Sequence, residues 1–166
     1  MKAGLNAPLP GFRRKILLFL PQRLRRSGPG SSMEDEFLMA FDQLSALLAC
    51  AILTGLAIFQ AALAAGAPLG RMAWGGGHTV LPKNLRIASA ASIALYALFA
   101  YTAFAKTGLA PPLVNDTVTS VASWVLTAYF ALGIVMNGIS RSKPERLVMT
   151  PTVLVLTALY LIISLN

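Results

Sequence analysis

The stretch that decides the fold runs from residue 37 to residue 65 and reads FLMAFDQLSALLACAILTGLAIFQAALAA. Its only ionisable carboxylate is Asp42, close to its start. A hydrocarbon core of about 30 Å needs roughly 20 consecutive apolar residues in a helix, and this stretch is longer than that. It therefore predicts a transmembrane helix that ends where Gly66 and Pro68 provide a stop signal. We expect Asp42 and Gln43 to lie in its first turns, at the lipid headgroups, and to be solvated.

Three further apolar segments follow, so that helices are predicted at about 37–65, 82–106, 117–139 and 143–165. Asn115 or Asp116 suits the N-cap of the third helix. Ser142 and Glu145 have the spacing of a capping box at the start of the fourth. The short second and third connections favour antiparallel neighbours. The predicted fold is all-α, a four-helix transmembrane bundle with antiparallel neighbours over residues 33–166.

Composition supports an integral membrane protein and argues against several other classes. Of the 166 residues, 56% are hydrophobic and only 12% are charged. The net charge is +8, but the basic residues flank the apolar segments in short groups. This distribution is typical of residues that lie at anionic lipid headgroups. No nucleic-acid partner is therefore expected. Cys50 is the only cysteine and cannot form a CxxC redox pair. With one His and no ligand spacing, neither a metal site nor a cofactor is predicted.

Residues 1–32 differ from the rest, because they are rich in Arg, Pro and Gly and contain no acid. Their apolar core, residues 16–20, ends at Pro21 and is shorter than the roughly 7–15 residues of a secretory signal. Three interpretations remain open. The segment is an interfacial element on anionic lipid, a disordered basic tail, or a sequence upstream of a true translation start at Met33 rather than Met1.

Basic residues also bear on orientation. Counted from Met33, the first and third connections carry six of them and the opposite side carries one, Lys106. The positive-inside rule then places these two connections in the cytoplasm and both termini outside. Counted from Met1, the terminal side carries eight against six. We expect a multi-pass protein of the cytoplasmic (inner) membrane with its termini outside.

The first connection begins GAPLGRMAWGGGH, residues 66–78, and contains the only His. It is longer than a helix hairpin requires. One interpretation is an interfacial re-entrant turn, with Trp74 in the aromatic belt and Arg71 at the phosphates. The alternative is a functional loop in which His78 acts on a substrate.

Polar residues within the predicted spans are few. Asp42 is near a helix end, and no ionisable group lies deep in a span, which argues against an ion-coupled transporter. Gln60 and Asn137 are expected to face the bundle. Amides in this position form hydrogen bonds between helices, or alternatively contact a substrate.

Two segments carry a resemblance to a known family: GAPLGRMAWGGGHTVLPKNLRIAS and MNGISRSKPERLVMTP. They resemble an uncharacterised family of small four-helix bacterial integral membrane proteins. That family shares a G-x-P-x-G-x-x-A-x-G-G run, an L-P-x-x-x-R segment and an N-x-I-S-x-S-x-x-E-R segment. The matching positions are Gly66, Pro68, Gly70, Ala73, Gly75, Gly76, Leu81, Pro82, Arg86, Asn137, Ile139, Ser140, Ser142, Glu145 and Arg146. The resemblance covers the chain from about residue 37 and implies fold and location, but no reaction.

Both matching segments are expected on one membrane face, where Glu145 would pair with Arg71, Lys83 or Arg86. The residues favour a non-enzymatic subunit or interaction protein, with a membrane-protein partner or a homo-oligomer and anionic headgroups as its surroundings. The alternative is a small transporter or channel for a neutral or anionic solute. A third interpretation, a lipid-headgroup enzyme, would depend on His78. The candidate functional face comprises Arg71, Trp74, His78, Arg86, Asn137, Glu145 and Arg146.

Overall fold

The computed structural model of the chain describes residues 33–165. Within them the chain is helical and has no strand, with four long helices: α1 (Met33–Ala65), α2 (Lys83–Lys106), α3 (Asp116–Gly138) and α4 (Lys143–Leu165). Each is long and apolar enough to cross a membrane. The predicted all-helical class is confirmed, and so are four helices with the length and hydropathy that membrane spans require. The interpretations of residues 1–32 lie outside the described residues.

The chain divides into two compact units, Met1–Leu38 and Met39–Asn166. Of the first unit, only the start of α1 is described, and this helix begins four residues earlier than the predicted residue 37. The other three helices agree with the predicted bounds to within one residue at each end. The core and both cavities described below lie in the second unit.

Glycine ends α1 and α2 in the same way. After α1, Gly66 has φ +95° and donates its N–H to the Leu63 carbonyl at 3.0 Å, while Ala67 donates to Ala62 at 2.9 Å. After α2, Gly108 has φ +72° and donates to Ala105, while Leu109 donates to Phe104. These paired bonds form the Schellman motif, which satisfies the last carbonyls of a helix and which a residue without Cβ adopts most easily.

The predicted N-cap of α3 is confirmed. The Asn115 side-chain oxygen accepts the Val118 N–H at 2.8 Å. In the same connection, the Thr119 hydroxyl bonds the Asn115 carbonyl and accepts the Leu113 N–H at 3.1 Å. The chain between α2 and α3 is therefore held by hydrogen bonds to the first turn of α3.

The main core lies where residues from all four helices meet. It includes Leu53, Phe99, Leu126, Phe130 and Tyr160. Phe130 contacts Phe99 edge-to-face, with ring centroids 5.8 Å apart, and lies 5.0 Å from the ring of Tyr160. The Tyr160 hydroxyl donates to the Phe99 carbonyl at 2.7 Å, so its polar end is satisfied in an apolar setting.

The expectation that Asp42 is solvated is wrong. Its side chain is buried, with 7% of its surface exposed, and it has an interaction partner. Ser45, one turn further along α1, is also buried. Length and hydropathy place Asp42 near the headgroups, but they do not say which side of α1 it occupies. Asp42 is buried because it lies on the side of α1 that faces inward.

Candidate functional site

The connection between α1 and α2 forms a folded loop, residues 66–82, which we call the glycine loop. It contains two short 3-10 turns, Gly70–Met72 and Trp74–Gly76. The Gly70 N–H donates to the Thr79 carbonyl at 2.9 Å and so closes the loop on itself. A Cβ at Gly70 would lie 2.6 Å from the His78 carbonyl oxygen. Only glycine allows the two sides of the loop to approach this closely.

Three consecutive residues of this loop are in the left-handed region: Trp74 (φ +55°), Gly75 (φ +78°) and Gly76 (φ +69°). Trp74 is the only residue other than glycine in the described chain with positive φ. Its indole N–H donates to the hydroxyl of buried Ser89 on α2 at 3.1 Å. A strained backbone of this kind persists where surrounding contacts fix it, and it is often found at functional sites.

The glycine loop is fastened to the turn that precedes α4. The Ser142 hydroxyl donates to the Arg71 carbonyl, and the Ser140 hydroxyl accepts the Ser142 N–H at 3.2 Å. A Cβ at Gly76 would lie 2.6 Å from the Ser142 Oγ and would overlap the Ser142 Cβ. The missing side chain at Gly76 therefore allows this junction to form.

Glu145 joins the same junction from α4. Its side chain is only 7% exposed. One carboxylate oxygen accepts the Gly75 N–H at 3.2 Å, and the other accepts the Ser140 hydroxyl at 2.5 Å. The predicted capping box is thus half present. The Glu145 N–H donates to Ser142 Oγ at 3.4 Å, but the carboxylate bonds to the glycine loop instead of returning to the Ser142 N–H.

A cavity of about 320 Å³ lies between the helices on the bundle side of this junction; we call it the bundle cavity. Its polar lining comes from α1, α2, α3 and α4 and consists of Gln60, Ser92, Tyr96, Asn137 and Glu145. Aromatic rings, among them Phe59, Trp74, Tyr129 and Phe130, and the side chains of Met72, Met136 and Met149 form much of the remainder. Apolar walls with a few polar groups are typical of small-molecule sites.

Gln60 is the unusual residue of this lining. Its side chain is 91% buried, and its Oε1 has no hydrogen-bond partner. Tyr96 interacts with Gln60, but without the geometry of a hydrogen bond to that oxygen. Buried polar atoms are rarely left unpaired, and each exception asks for an explanation. By contrast, Asn137 is satisfied in part, because its amide donates to the Gly133 carbonyl at 2.8 Å.

A second, open pocket of about 390 Å³ lies on the other side of the junction; we call it the basic pocket. Arg71, Arg141 and Lys143 line it, together with Gly76, Gly77 and Ser142. All three cationic residues are exposed, and their side chains have no hydrogen bond or ion pair to any residue of the described part.

The seven residues of the predicted functional face fall into different surroundings. Trp74, Asn137 and Glu145 line the bundle cavity, and Arg71 lines the basic pocket. Arg86 has a structural position, because its Nε donates to the Ala64 carbonyl at 2.7 Å near the end of α1. His78 and Arg146 are exposed and line neither cavity. The expected pairing of Glu145 with Arg71, Lys83 or Arg86 is replaced by its bonds to Gly75 and Ser140.

Several lining residues were not among the predicted site residues. Arg141 and Lys143 were counted only for orientation, and Ser92 and Tyr96 were not distinguished from the rest of α2. Gln60 and Asn137 are the two amides that the sequence predicts to face the bundle, and both line the cavity. Comparison with family models, with curated proteins and with solved structures gives no match. The site is therefore argued from this chain's own residues.

Proposed function

We propose that this protein is a small membrane carrier that binds a neutral solute with hydrogen-bond donors in the bundle cavity. The observation that carries the proposal is the buried, unpartnered Oε1 of Gln60 in the wall of that cavity. A buried acceptor without a hydrogen-bond partner in the protein costs free energy. A bound O–H or N–H group would remove that cost.

The remaining lining restricts the solute further. A volume of about 320 Å³ is near the lower limit for ligand pockets, which favours a small molecule. Aromatic rings and methionine side chains offer an apolar, adaptable surface to its body. The carboxylate of Glu145 also lies in the wall, so an anion is the least suitable occupant. Of the neutral or anionic solutes expected from the sequence, the neutral class is the better supported.

The cavity also has a side that faces outward. Tyr129, Leu132 and Met136 of α3 line it and are each more than half exposed. A solute can enter at this side from the bilayer. We place the protein in the inner membrane as a bundle with antiparallel neighbours, with the glycine loop and the turn before α4 in the cytoplasm and both termini outside. The reason is that, counted from Met33, six basic residues lie at these two connections and one lies on the opposite side.

The same exposed side supports a second candidate function. A partner membrane protein, or a second copy of this chain, would cover Tyr129, Leu132 and Met136 and complete the cavity, as expected of a non-enzymatic subunit. Mild detergent extraction followed by cross-linking from cysteines introduced at position 132 separates the two functions. A carrier acting alone gives no cross-linked partner, whereas a subunit gives one specific product.

Three probes with the same phenyl body test the carrier proposal: 2-phenylethanol, phenylacetate and ethylbenzene. The shift in melting temperature of the purified full chain is measured for each. We expect 2-phenylethanol to raise it and phenylacetate and ethylbenzene to leave it unchanged. Gln60→Leu should abolish the shift, whereas Gln43→Leu, also on α1 but outside the cavity lining, should retain it. Equal shifts in both variants, or no shift with any probe, would overturn the proposal.

A further inference from the structure

We propose that the basic pocket binds a phosphate group, carried by an anionic lipid headgroup or free in solution. This site is separate from the bundle cavity and does not depend on the carrier function. Three segments of the chain each contribute one cation to it: Arg71 from the glycine loop, Arg141 from the turn before α4, and Lys143 from α4 itself.

The three cations are held together by the junction. The bond from the Ser142 hydroxyl to the Arg71 carbonyl fixes the glycine loop against the turn. Gly76 also approaches Ser142 so closely that no side chain fits between the loop and the turn. Like charges around one pocket repel each other, and an anion bound between them would reduce that repulsion.

No carboxylate compensates for these charges within the pocket. The nearest acid along α4, Glu145, turns its oxygens to Gly75 and Ser140 and lines the bundle cavity instead. The lining of the basic pocket contains no Asp or Glu among the described residues. A single phosphate can therefore contact guanidinium groups, which match its geometry, and the Lys143 ammonium at the same time.

Backbone at the pocket suits an anion as well. Gly77 presents main chain without a Cβ, and the space that a Cβ would fill is open, so a phosphate oxygen can approach it closely. The first turn of α4, at Lys143 and Pro144, also opens into the pocket. The partial positive charge at the N-terminus of a helix attracts negative charge. A volume of about 390 Å³ accommodates a phosphate together with part of the group esterified to it.

If anionic lipid is attracted only diffusely, any two exposed basic residues should contribute equally to binding. If lipid binds in a defined pocket, only the residues that line the pocket should contribute. Arg146 and Lys83 are exposed basic residues of the same two connections but do not line the pocket. Arg141→Gln/Lys143→Gln and Lys83→Gln/Arg146→Gln therefore remove the same charge, and only the first changes the pocket. Arg141→Lys keeps the pocket charge and serves as a folding control for that position.

The experiment is native mass spectrometry of the full chain in detergent with phosphatidylglycerol, with phosphatidylcholine, and with inorganic phosphate added. We expect about a tenfold lower phosphatidylglycerol occupancy in the pocket variant, wild-type occupancy in the matched control, an intermediate occupancy in Arg141→Lys, and no preference for phosphatidylcholine. Displacement of phosphatidylglycerol by inorganic phosphate would identify free phosphate as sufficient. Equal loss in both double variants, or equal retention of both lipids, would overturn the proposal.

Discussion

The two connections on either side of α2 differ in where their hydrogen-bond partners lie in the chain. Residues 107–115 join α2 to α3 through bonds among their own residues and the adjoining helix ends, with Asn115 and Thr119 as the main groups. The glycine loop, residues 66–82, bonds to distant parts of the chain: Ser89, Ser142 and Glu145. The connection between α2 and α3 only terminates one helix and caps the next. The other forms a wall of both cavities, so its conformation is tied to the packing of α4.

The largest expected effect comes from Gly76→Ala. The new Cβ would overlap Ser142 and would sit on a left-handed backbone, so we expect a loss of about 3 kcal/mol in the free energy of unfolding. Titration with dodecyl sulfate in mixed micelles measures it. Gly77→Ala is the matched control, because a Cβ there meets nothing within 4 Å and φ is −69°. Equal stability of the two variants would show that the junction is not fixed at Gly76.

A smaller loss is expected for Glu145→Ala. This change leaves the Gly75 N–H and the Ser140 hydroxyl without their acceptor, which costs about 2 kcal/mol. The glycine loop should also open more often, so trypsin should cut after Arg71 faster than in the wild type. Glu36→Ala removes an exposed acid and provides the comparison. An unchanged cleavage rate in Glu145→Ala would contradict the assigned role of the carboxylate.

The smallest effect is expected in the other connection. Asn115→Ala removes the N-cap of α3 and should lower the free energy of unfolding by about 1 kcal/mol. Because this connection bonds locally, the cleavage rate after Arg71 should stay at the wild-type value. Asn115→Ser, which retains a capping oxygen, should restore most of the stability. If Asn115→Ala also exposed Arg71 to trypsin, the two connections would be coupled and the contrast between them would fail.

The fold was largely predictable, since apolar length, glycine stops and the cap at Asn115 are local signals. The site was predictable only in part. Gln60 stands out because an amide is costly in an apolar span. Glu145 did not, because its spacing from Ser142 fits a capping box, and only tertiary contact with Gly75 shows that the carboxylate is used elsewhere. Asp42 was misjudged because hydropathy does not say which side of α1 faces inward.

The position of Trp74 gives the protein its own optical probe. Its indole lines the bundle cavity and donates to Ser89, while the chain's only other tryptophan, Trp124 on α3, lines neither cavity. In a Trp124→Phe background, fluorescence emission arises from the cavity wall alone. The emission wavelength, the anisotropy and the quenching by bromine-labelled lipid would then follow the occupancy of the cavity and the opening of the loop in intact membranes. No label on the protein would be needed.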